Sequence, residues 1–506
     1  MLTYHNPVIP GFYPDPSVCK TPSGFYLVTS TFEFFPGVPI FHSTDLVNWK
    51  QIGHCLTRKS QLDLDGIAAS KGIYAATIRY HNGLFYMVTT NNSKIGNFYV
   101  TATDPAGEWS EPIPVDLGGI DPSLFWDDDD TCYFISNADA PNGQRFMMGP
   151  IDTQTGKFTS PPQPMWRGAG GQAPEAPHIY KKDSYYYQMN AEGGTELGHS
   201  VTIARSHNLF GPWEECPNNP ILTHKHRKSE PIQATGHGDL VEDDYGNWWI
   251  VFLAYRQTGK YFHHLGRETF LAPVNWVDGW PVINDNQPIK SIMSVNISPE
   301  ITQQDREPLC ADFTSGRPLE WIHLRNPDEQ NYRYSSELSL LGSRYNLSDV
   351  ASPTFLGIRQ TDLNSSTTVT LSFNPENDNE EAGISTFYKH DAHYDLCITR
   401  RGGKRVVMLR KVVGDIKHIE AVSPIRGDCA TLVIETDSLN YRFYFKDDDN
   451  CKLLGEGLSR LLSTEAHELG FTGVILALYA TGNGFSVKKW AHFSDFCYEG
   501  FDWIDA

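Results

Sequence analysis

The sequence lacks the features that mark several common protein classes. Its 506 residues include nine cysteines, and no two of them are spaced as a Cys-x-x-Cys motif, so neither a disulfide framework nor a zinc ribbon is indicated. No run of 18 apolar residues occurs, so we expect no membrane span. The N-terminal stretch MLTYHNPVIPGFYPDPS has neither the basic start nor the apolar core of a signal peptide. We therefore expect a cytoplasmic location, with secretion not excluded.

Positive charge is also scarce. The chain carries 41 lysines and arginines against 61 aspartates and glutamates, which gives a formal net charge of −20. Such a surface repels phosphate backbones, so we expect no nucleic-acid partner, whereas a neutral sugar would not be repelled. The apolar fraction of 40% and the aromatic fraction of 12% are typical of a globular protein. The length suits two or three domains.

What the sequence does contain is a repeated hairpin pattern. Each copy has a short apolar strand, a turn rich in Gly, Asp, Asn or Lys, and a strand with paired aromatic residues. The five copies begin at Asp15 (DPSVCKTPSGFYLV), Ala75 (AATIRYHNGLFYMV), Asp121 (DPSLFWDDDDTCYFI), Ala176 (APHIYKKDSYYYQM) and His237 (HGDLVEDDYGNWWIV). Their spacings of 60, 46, 55 and 61 residues are close to the length of a propeller blade. The pattern predicts a five-bladed β-propeller over residues 1–300.

The starts of these strands carry a concentration of ionisable residues. The first strand of each propeller blade lines the central channel, so the residue that begins it points at the axis. Asp15, Asp121 and His237 hold such positions, and Glu175 directly precedes Ala176. Three interpretations stay open: channel residues bonded to the backbone, a calcium cage, or an acid/base set for glycosidic cleavage. We favour the last, because neighbouring carboxylates repel one another and would not be gathered for stability alone.

At these residues the sequence resembles glycoside hydrolase family 43, and within it the β-xylosidase and α-L-arabinofuranosidase enzymes. The matching stretches are NPVIPGFYPDPS, TSTFEFFPGVPIFHSTDLVNW, SQLDLDGIAASKGIYAATIRY, GGIDPSLFWDDD, QAPEAPHIYKK, AEGGTELGHSVTIARS, HGDLVEDDYGNWWIVFLAYR and LGRETFLAPVNW. Each is a weak signal, but eight in the right order are specific, and the resemblance covers nearly the whole chain. It implies a five-bladed propeller and inverting, exo-acting hydrolysis of pentosides from the non-reducing end.

The resemblance also implies roles for individual residues. Asp15 in YPDPS resembles the general base that activates water, and Glu175 in APEAPHIY resembles the general acid. Asp121 in GIDPS resembles the residue that modulates the pKa of the acid and helps to hold the sugar. Arg267 in LGRETF resembles the arginine that binds sugar hydroxyls in the innermost subsite; a surface ion pair with Glu268 is the alternative.

Three further residues are expected at the sugar. Phe32 in STFEFF resembles an aromatic wall, with core packing as the alternative. His237 corresponds to an axial histidine that approaches a calcium ion through water in some members; a satisfied core histidine is the alternative. We therefore expect no cofactor for the chemistry, predict no metal firmly, and leave a structural calcium ion open.

Tyr74 stands where the family often has the Trp of Trp-Ala-Pro, which affects the choice between xyloside and arabinofuranoside.

The second half has a different texture. From about Ser291 to Trp321 the chain is polar and mixed, and we interpret it as a linker. The remainder alternates short strands with Gly, Asn and Asp turns, which predicts a β-sandwich over residues 301–506. The stretch EAGISTFYKHDAHYDL resembles the concanavalin-like C-terminal domain of the β-xylosidase group. The resemblance implies that this domain packs on the propeller and helps to close its pocket or to build oligomers, with carbohydrate binding as the alternative.

The strand pattern thus predicts an all-β protein, and the resemblance implies that it is an exo-acting, inverting hydrolase. We expect it to release xylose from the non-reducing end of β-1,4-xylo-oligosaccharides, with α-L-arabinofuranosidase side activity. The main alternative is a predominant α-L-arabinofuranosidase acting on arabinoxylan or arabinan fragments. A non-catalytic sugar-binding propeller and a retaining relative that acts on fructosides are more distant alternatives. The expected partner is a xylo-oligosaccharide or an arabinoxylan-derived oligosaccharide, and a homo-oligomer is left open.

Overall fold

The computed structural model describes residues 2–138, 145–296, 302–447, 450–467 and 470–502. The protein is built almost entirely from β-strands. The helices of the described ranges are single 3-10 turns, at Asn284–Asn286, Glu329–Asn331, Ser459–Leu462 and Thr464–Ala466. Among the described residues, no helix has the length and apolar character needed to cross a membrane.

The first half folds into antiparallel sheets of consecutive strands. In chain order the strands are β1 (Leu2–His5), β2 (Ser17–Thr21), β3 (Gly24–Val28), β4 (Phe34–Phe35), β5 (Gly37–Ser43), β6 (Lys50–Leu56), β7 (Thr77–His81), β8 (Leu84–Asn91), β9 (Gly96–Ala102), β10 (Ile113–Pro114), β11 (Ile120–Trp126), β12 (Cys132–Asn137), β13 (Phe146–Pro150), β14 (Gln163–Pro164), β15 (Glu175–Lys182), β16 (Tyr185–Glu192), β17 (Ser200–Ser206), β18 (Glu214–Glu215), β19 (Leu222–Thr223), β20 (Ile232–Glu242), β21 (Trp248–Arg256), β22 (Glu268–Val277), β23 (Trp280–Ile283) and β24 (Ile292–Val295).

These strands form five blades arranged in a ring, counted over the described residues. The blades are β2-β3-β5-β6, β7-β8-β9-β10, β11-β12-β13-β14, β15-β16-β17-β18 with β19 on β17, and β20-β21-β22-β23. Their first strands contact one another in the order β2, β7, β11, β15, β20 and back to β2. This is the arrangement of a five-bladed propeller, in agreement with the sequence prediction.

Local sequence explains the hairpins within the blades. Strands β7 and β8 are joined by Asn82 and Gly83, with φ angles of 49° and 83°. Two residues with positive φ make the turn that matches the twist of paired strands, and Asn-Gly is the sequence that adopts it most readily. The pairing then continues from His81 and Leu84 to Thr77 and Val88.

The first and last strands of this half pair with each other. Leu2 of β1 lies opposite Val295 of β24, and Tyr4 lies opposite Met293. Leu2, Tyr4 and Met293 are all buried. The interpretation of the chain from Ser291 as a linker is therefore wrong for β24. A four-residue strand whose partner is almost 300 residues away leaves no local pattern to detect.

The second half is a two-sheet sandwich, as predicted. Its strands are β25 (Leu309–Cys310), β26 (His323–Leu324), β27 (Tyr332–Tyr334), β28 (Leu338–Leu341), β29 (Thr354–Arg359), β30 (Ser365–Ser372), β31 (Glu381–Lys389), β32 (Ala392–Arg401), β33 (Lys404–Val413), β34 (Ile416–Pro424), β35 (Cys429–Asp437), β36 (Asn440–Asp447), β37 (Asn450–Leu458), β38 (Ile475–Thr481) and β39 (Trp490–Gly500). One sheet has the order β29-β38-β31-β32-β33-β34. The other has the order β27-β28-β39-β30-β35-β36-β37, with β25 on β39. Inward side chains of both sheets, such as Leu396 and Leu432, form one apolar cluster.

The two halves are joined by more than their covalent connection. Strand β26 of the second half pairs with β4 of the first half. Around this pairing, Phe32 and Phe34 share an apolar cluster with Phe355 and Phe387 of the sandwich. The halves therefore pack on a common core. The boundary predicted between residues 300 and 301 lies outside the described residues and stays a prediction.

One disulfide bond is present among the described residues. Cys310 and Cys497 are bonded, and they lie opposite each other where β25 pairs with β39. No local pattern indicates this bond, because its two cysteines are 187 residues apart. We expected no disulfide framework, and this is corrected in one respect: a single disulfide bond links β25 to β39 in the sandwich. The other seven cysteines are free.

Candidate active site

The backbone turns sharply at or beside the start of β2, β11 and β15, and again within β20. The prediction that His237 begins its inner strand is wrong, because β20 starts at Ile232 and His237 lies in its middle. Asp15, Asp121, Ala176 and His237 have φ angles of 56°, 53°, 52° and 46°. The left-handed region is costly for residues other than glycine, and such strain gathers at functional sites. Irregular register accompanies it in β11, β15 and β20. A bulge of this kind re-aims a side chain, and here it turns side chains from several blades toward the axis.

A cavity of about 220 Å³ lies at this point. It is small beside typical ligand pockets of roughly 300–1,000 Å³. Its lining includes every site residue predicted from the sequence, namely Asp15, Phe32, Tyr74, Asp121, Glu175, His237 and Arg267.

Asp15 is held in place by three neighbours. The hydroxyl of Ser30 donates a hydrogen bond to its Oδ2. Nη1 of Arg267 donates to its Oδ1 at 3.0 Å, and Nδ1 of His237 lies 3.7 Å from the same oxygen. Asp15 is only 4% exposed. Hydrogen bonds from a guanidinium and a hydroxyl fix the position of this buried carboxyl group.

Arg267 therefore faces the cavity. The alternative of a surface ion pair with Glu268 is wrong, because Glu268 is fully buried and pairs instead with Arg256 at 2.8 Å. Besides Asp15, Nη1 of Arg267 donates to Oγ1 of Thr195 at 2.9 Å. The alternation of neighbouring residues along the chain sends the two side chains in opposite directions.

Glu175 and Asp121 form a second acidic pair with different electrostatics. Burial, and then the negative charge of Asp15, raise the pKa of Glu175 to about 7, although Arg267 acts in the opposite direction. Burial, followed by Glu175 and Asp15, raises the pKa of Asp121 well above its ordinary value. Groups this close titrate together. The pair therefore retains a proton near neutral pH, next to the ion pair of Asp15.

His237 is buried at 5% exposure and reaches the cavity. Burial lowers the pKa of His237, although the nearby Asp15 acts against this effect. The imidazole is thus neutral near pH 7. It is both a buried histidine and a wall of the cavity.

Aromatic rings form one side of the cavity. The ring of Phe32 lies 5.6 Å from the rings of both Tyr74 and Phe471. Phe32 also belongs to the apolar cluster shared by the two halves, so it acts as a wall and as a core residue at once. Tyr74 accepts a hydrogen bond on its hydroxyl from Nζ of Lys71 at 3.3 Å.

Sequence reasoning missed several groups at the cavity. Phe471 belongs to the second half, and its carbonyl oxygen accepts from Nη2 of Arg267 at 3.4 Å. Nothing in the surrounding GFTGV stretch marks it. Thr195 lies in AEGGTELGHS, one of the stretches that carry the resemblance, and it could have been found there. Ser70 also lines the cavity and was not singled out.

A buried ionic network lies beside these residues. The carboxylate of Asp239 accepts hydrogen bonds from Ser17 Oγ and Tyr180 OH, each at 2.6 Å, and from Arg79 Nη1 at 2.7 Å. These residues belong to β20, β2, β15 and β7. Burial alone would raise the pKa of Asp239, but Arg79 and the other partners outweigh it and hold that pKa low. The network joins four of the five inner strands, which fixes the positions from which the site residues project.

Three possible metal ligands meet at the cavity. Asp121, Glu175 and His237 each bring one donor atom within 4.8 Å of the others. Calcium takes about six to eight oxygen ligands, whereas this group offers two carboxylates and one imidazole nitrogen. The group does not fit a calcium cage.

Comparisons with known proteins cover both halves of the chain. Residues 4–281 match Glycosyl hydrolases family 43, and residues 310–499 match the Beta xylosidase C-terminal Concanavalin A-like domain. The chain is 40% identical to the Non-reducing end alpha-L-arabinofuranosidase BoGH43B of Bacteroides ovatus, over 99% of this chain and 94% of the relative. It is 38% identical to the Xylosidase/arabinosidase of Butyrivibrio fibrisolvens, over 99% and 100%.

A solved structure gives the same result. The structure described as Bacteroides ovatus Xyloglucan PUL GH43B superposes with a TM-score of 0.94 at 39% identity, covering 99% of this chain and 100% of that one. The alternative of a non-catalytic sugar-binding propeller finds no support in these comparisons. With both halves matched in order and the relatives covered almost end to end, the chain belongs to glycosyl hydrolase family 43 and is a glycoside hydrolase.

Proposed function

We propose that this enzyme is an exo-acting, inverting glycosidase. It releases xylose from the non-reducing end of β-1,4-xylo-oligosaccharides and also cleaves α-L-arabinofuranosides. The observation that carries the proposal is the contrast between two acidic centres in one cavity. Asp15 is paired with Arg267 at 3.0 Å, while Glu175 has a pKa raised to about 7. Inverting hydrolysis needs one ionised and one protonated carboxyl group.

Each carboxyl group then has a distinct task. Glu175 donates its proton to the leaving oxygen as general acid, and Asp15 accepts a proton from the attacking water as general base. Asp121, whose own pKa is raised by burial and then by Glu175 and Asp15, titrates together with Glu175, adjusts the pKa of that acid and binds the sugar. No cofactor takes part in this scheme.

The remaining residues bind the terminal sugar. Arg267 has its Nη1 on Asp15 and its guanidinium 5.7 Å from the centre of the Phe32 ring. It can therefore bind sugar hydroxyls beside the base while Phe32 and Tyr74 cover the apolar face of the ring. The small cavity supports a substrate that enters by one end, which favours exo action. Short oligosaccharides would reach such an enzyme in the cytoplasm, the location that we propose with it.

A predominant α-L-arabinofuranosidase is the second candidate. It is favoured by the 40% identical relative, which is named as an arabinofuranosidase. Tyr74 contributes to the choice between xyloside and arabinofuranoside. Its hydroxyl, which accepts a hydrogen bond from Lys71, makes the wall beside the sugar different from the one that a tryptophan would form.

The test compares two substrates on the purified chain. We expect nitrophenyl β-D-xylopyranoside to be cleaved with the higher kcat/KM and nitrophenyl α-L-arabinofuranoside to be cleaved measurably. A reversed ratio of tenfold or more would establish the second candidate. Proton NMR of a fresh β-xyloside digest should show α-xylose first, and β-xylose first would disprove inversion. Release of internal fragments from polymeric xylan would disprove exo action.

A further inference from the structure

Phe471 is held to the cavity through its backbone. Its amide nitrogen donates a hydrogen bond to Oγ of Ser70 at 3.0 Å, and its carbonyl oxygen accepts one from Nη2 of Arg267 at 3.4 Å. The backbone nitrogen of Ser70 in turn donates to Oε2 of Glu33 at 2.9 Å. A continuous series of hydrogen bonds therefore runs from Glu33 through Ser70, Phe471 and Arg267 to Asp15.

Glu33 is an unusual residue at this position. It is 1% exposed, and it lies at the junction of the two halves, where its carbonyl oxygen accepts from the backbone of Arg325 at 2.9 Å. Burying a carboxyl group is costly unless it is hydrogen-bonded. Glu33 follows Phe32, whose ring is packed against Phe471. The carboxyl group of Glu33 accepts the hydrogen bond that fixes Ser70. Glu33 is adjacent in the chain to Phe32, which belongs to the aromatic wall.

The backbone conformation of Ser70 lets it form hydrogen bonds to Glu33 and to Phe471 at the same time. Its φ is 58°, and it is 4% exposed. In this left-handed conformation its backbone nitrogen points to Glu33 while its hydroxyl meets the amide of Phe471. Strain of this kind persists where the surroundings fix it and is common at ligand clamps.

We propose that Glu33 and Ser70 form a clasp that docks Phe471 of the second half onto the sugar pocket of the first half. We call this pair the Glu33–Ser70 clasp. The two residues are positioning residues that act through Phe471, and the inference rests on the proposed cleavage of terminal pentosides. Aromatic packing permits more than one ring arrangement, whereas the hydrogen bonds to the amide and the carbonyl of Phe471 fix where its ring stands against a bound sugar.

The clasp should govern affinity for the sugar more than the chemical step. Ser70→Ala removes the acceptor for the Phe471 amide and leaves the catalytic carboxyl groups unchanged. We expect KM for nitrophenyl β-D-xylopyranoside to rise about 3- to 10-fold, the usual worth of one hydrogen bond, while kcat changes less than 3-fold. The inhibition constant of free xylose should rise by the same factor as KM.

Variants at Glu33 test the other half of the clasp. Glu33→Gln keeps an oxygen that can accept from the Ser70 amide, so its KM should stay within 2-fold of the unaltered enzyme. Glu33→Leu keeps similar bulk but removes the acceptor, and it should raise KM as Ser70→Ala does. Ser459→Ala is the matched control, since that buried serine donates to the Ser438 carbonyl inside the sandwich. It should leave KM unchanged.

A double-mutant cycle separates positioning from direct contact with substrate. If Ser70 acts through Phe471, Ser70→Ala should add no further rise in KM once Phe471→Ala has removed the ring. Multiplying effects in the double variant would overturn the proposal, because Ser70 would then bind the sugar itself. An unchanged KM in Ser70→Ala would overturn it as well.

Binding measurements keep this test separate from the proposed function. Calorimetric titration with free xylose and free arabinose reports on the same pocket without turnover. If the unaltered enzyme cleaves neither nitrophenyl pentoside, the proposed function fails. The double-mutant cycle of Ser70→Ala and Phe471→Ala is then evaluated with the dissociation constants of the free sugars in place of KM. If the enzyme is active but Ser70→Ala binds both sugars as tightly as before, the inference fails alone.

Discussion

At the scale of single residues, the proton on Glu175 decides the pH range of the enzyme. Burial and the neighbouring Asp15 raise its pKa to about 7. The protonated form is present below that value and is lost above it. We expect kcat/KM on xylobiose to fall about tenfold per pH unit on the alkaline side, with the limb centred near pH 7. A pH–rate profile with constant ionic strength measures this.

Removing Glu175 should reveal its role through the leaving group. Xylose leaves as a poor alkoxide and needs the proton, whereas dinitrophenolate leaves without it. Glu175→Ala should therefore lose about 10²-fold or more in activity on xylobiose relative to dinitrophenyl β-xyloside. The alkaline limb should vanish on the activated substrate. Equal losses on both substrates would assign the acid role elsewhere, with Asp121 the first candidate.

Asp15 should behave differently from Glu175, because water must be deprotonated whatever the leaving group. Asp15→Asn keeps the size of the side chain and an oxygen that can accept from Arg267, but it cannot take a proton from water. We expect a loss of about 10²–10⁴-fold in kcat on xylobiose and dinitrophenyl β-xyloside alike. Steady-state kinetics on both substrates measure it. A variant that retains half of its kcat would exclude Asp15 as the base.

At the scale of strands and turns, the sequence predicted whatever depends on local pattern. The five hairpins followed from period-2 alternation and turn residues such as Asn82-Gly83. The repeat also located the inner strands, although β20 begins at Ile232 and not at His237 as predicted. The repeat predicted that Asp15, Asp121 and Glu175 meet at one point, and the structure gathers them in one cavity. Their catalytic roles remain predictions.

What escaped prediction depends on contacts between distant elements. The pairing of β1 with β24, the bond between Cys310 and Cys497 and the approach of Phe471 each join segments separated by well over a hundred residues. The left-handed turn at Ala176 escaped for another reason. Alanine carries no signal for positive φ, whereas glycine or asparagine would have.

The turn that aims Glu175 gives a prediction for the element. Ala176 has a φ of 52° and is buried. Glycine adopts this φ freely, so Ala176→Gly should change the free energy of unfolding by no more than about 1 kcal/mol. A β-branched residue is strongly disfavoured there, so Ala176→Val should lose about 2 kcal/mol or more.

The two variants at Ala176 should also differ in activity. Because Glu175 precedes the turn, a backbone that moves to accommodate valine carries the acid out of place, and kcat should fall more than tenfold while Ala176→Gly stays within threefold. Denaturant unfolding and kinetics on xylobiose measure both effects. Equal activity in the two variants would show that the turn does not aim Glu175.

At the scale of the whole molecule, the two halves share one interior. Phe34 is fully buried, lies in β4 beside β26, and belongs to the cluster that also holds Phe355 and Tyr479 of the sandwich. The aromatic wall of the cavity is completed by Phe471 from the same sandwich. Because both the pocket and the apolar core cross the junction, independent motion of the two halves would disrupt them.

This shared interior should make unfolding cooperative. We expect a single transition for the full chain in scanning calorimetry, and two resolved transitions for Phe34→Ala, because removing that ring costs about 3–5 kcal/mol at the junction itself. Phe134→Ala is the matched control. Phe134 is equally buried, but its cluster lies wholly within the propeller, so that variant should unfold at a lower temperature in one transition. Two transitions in the unaltered chain would mean that the packing between the halves is too weak to couple their unfolding. The position of Phe471 at the pocket would then depend on the Glu33–Ser70 clasp and not on the shared core.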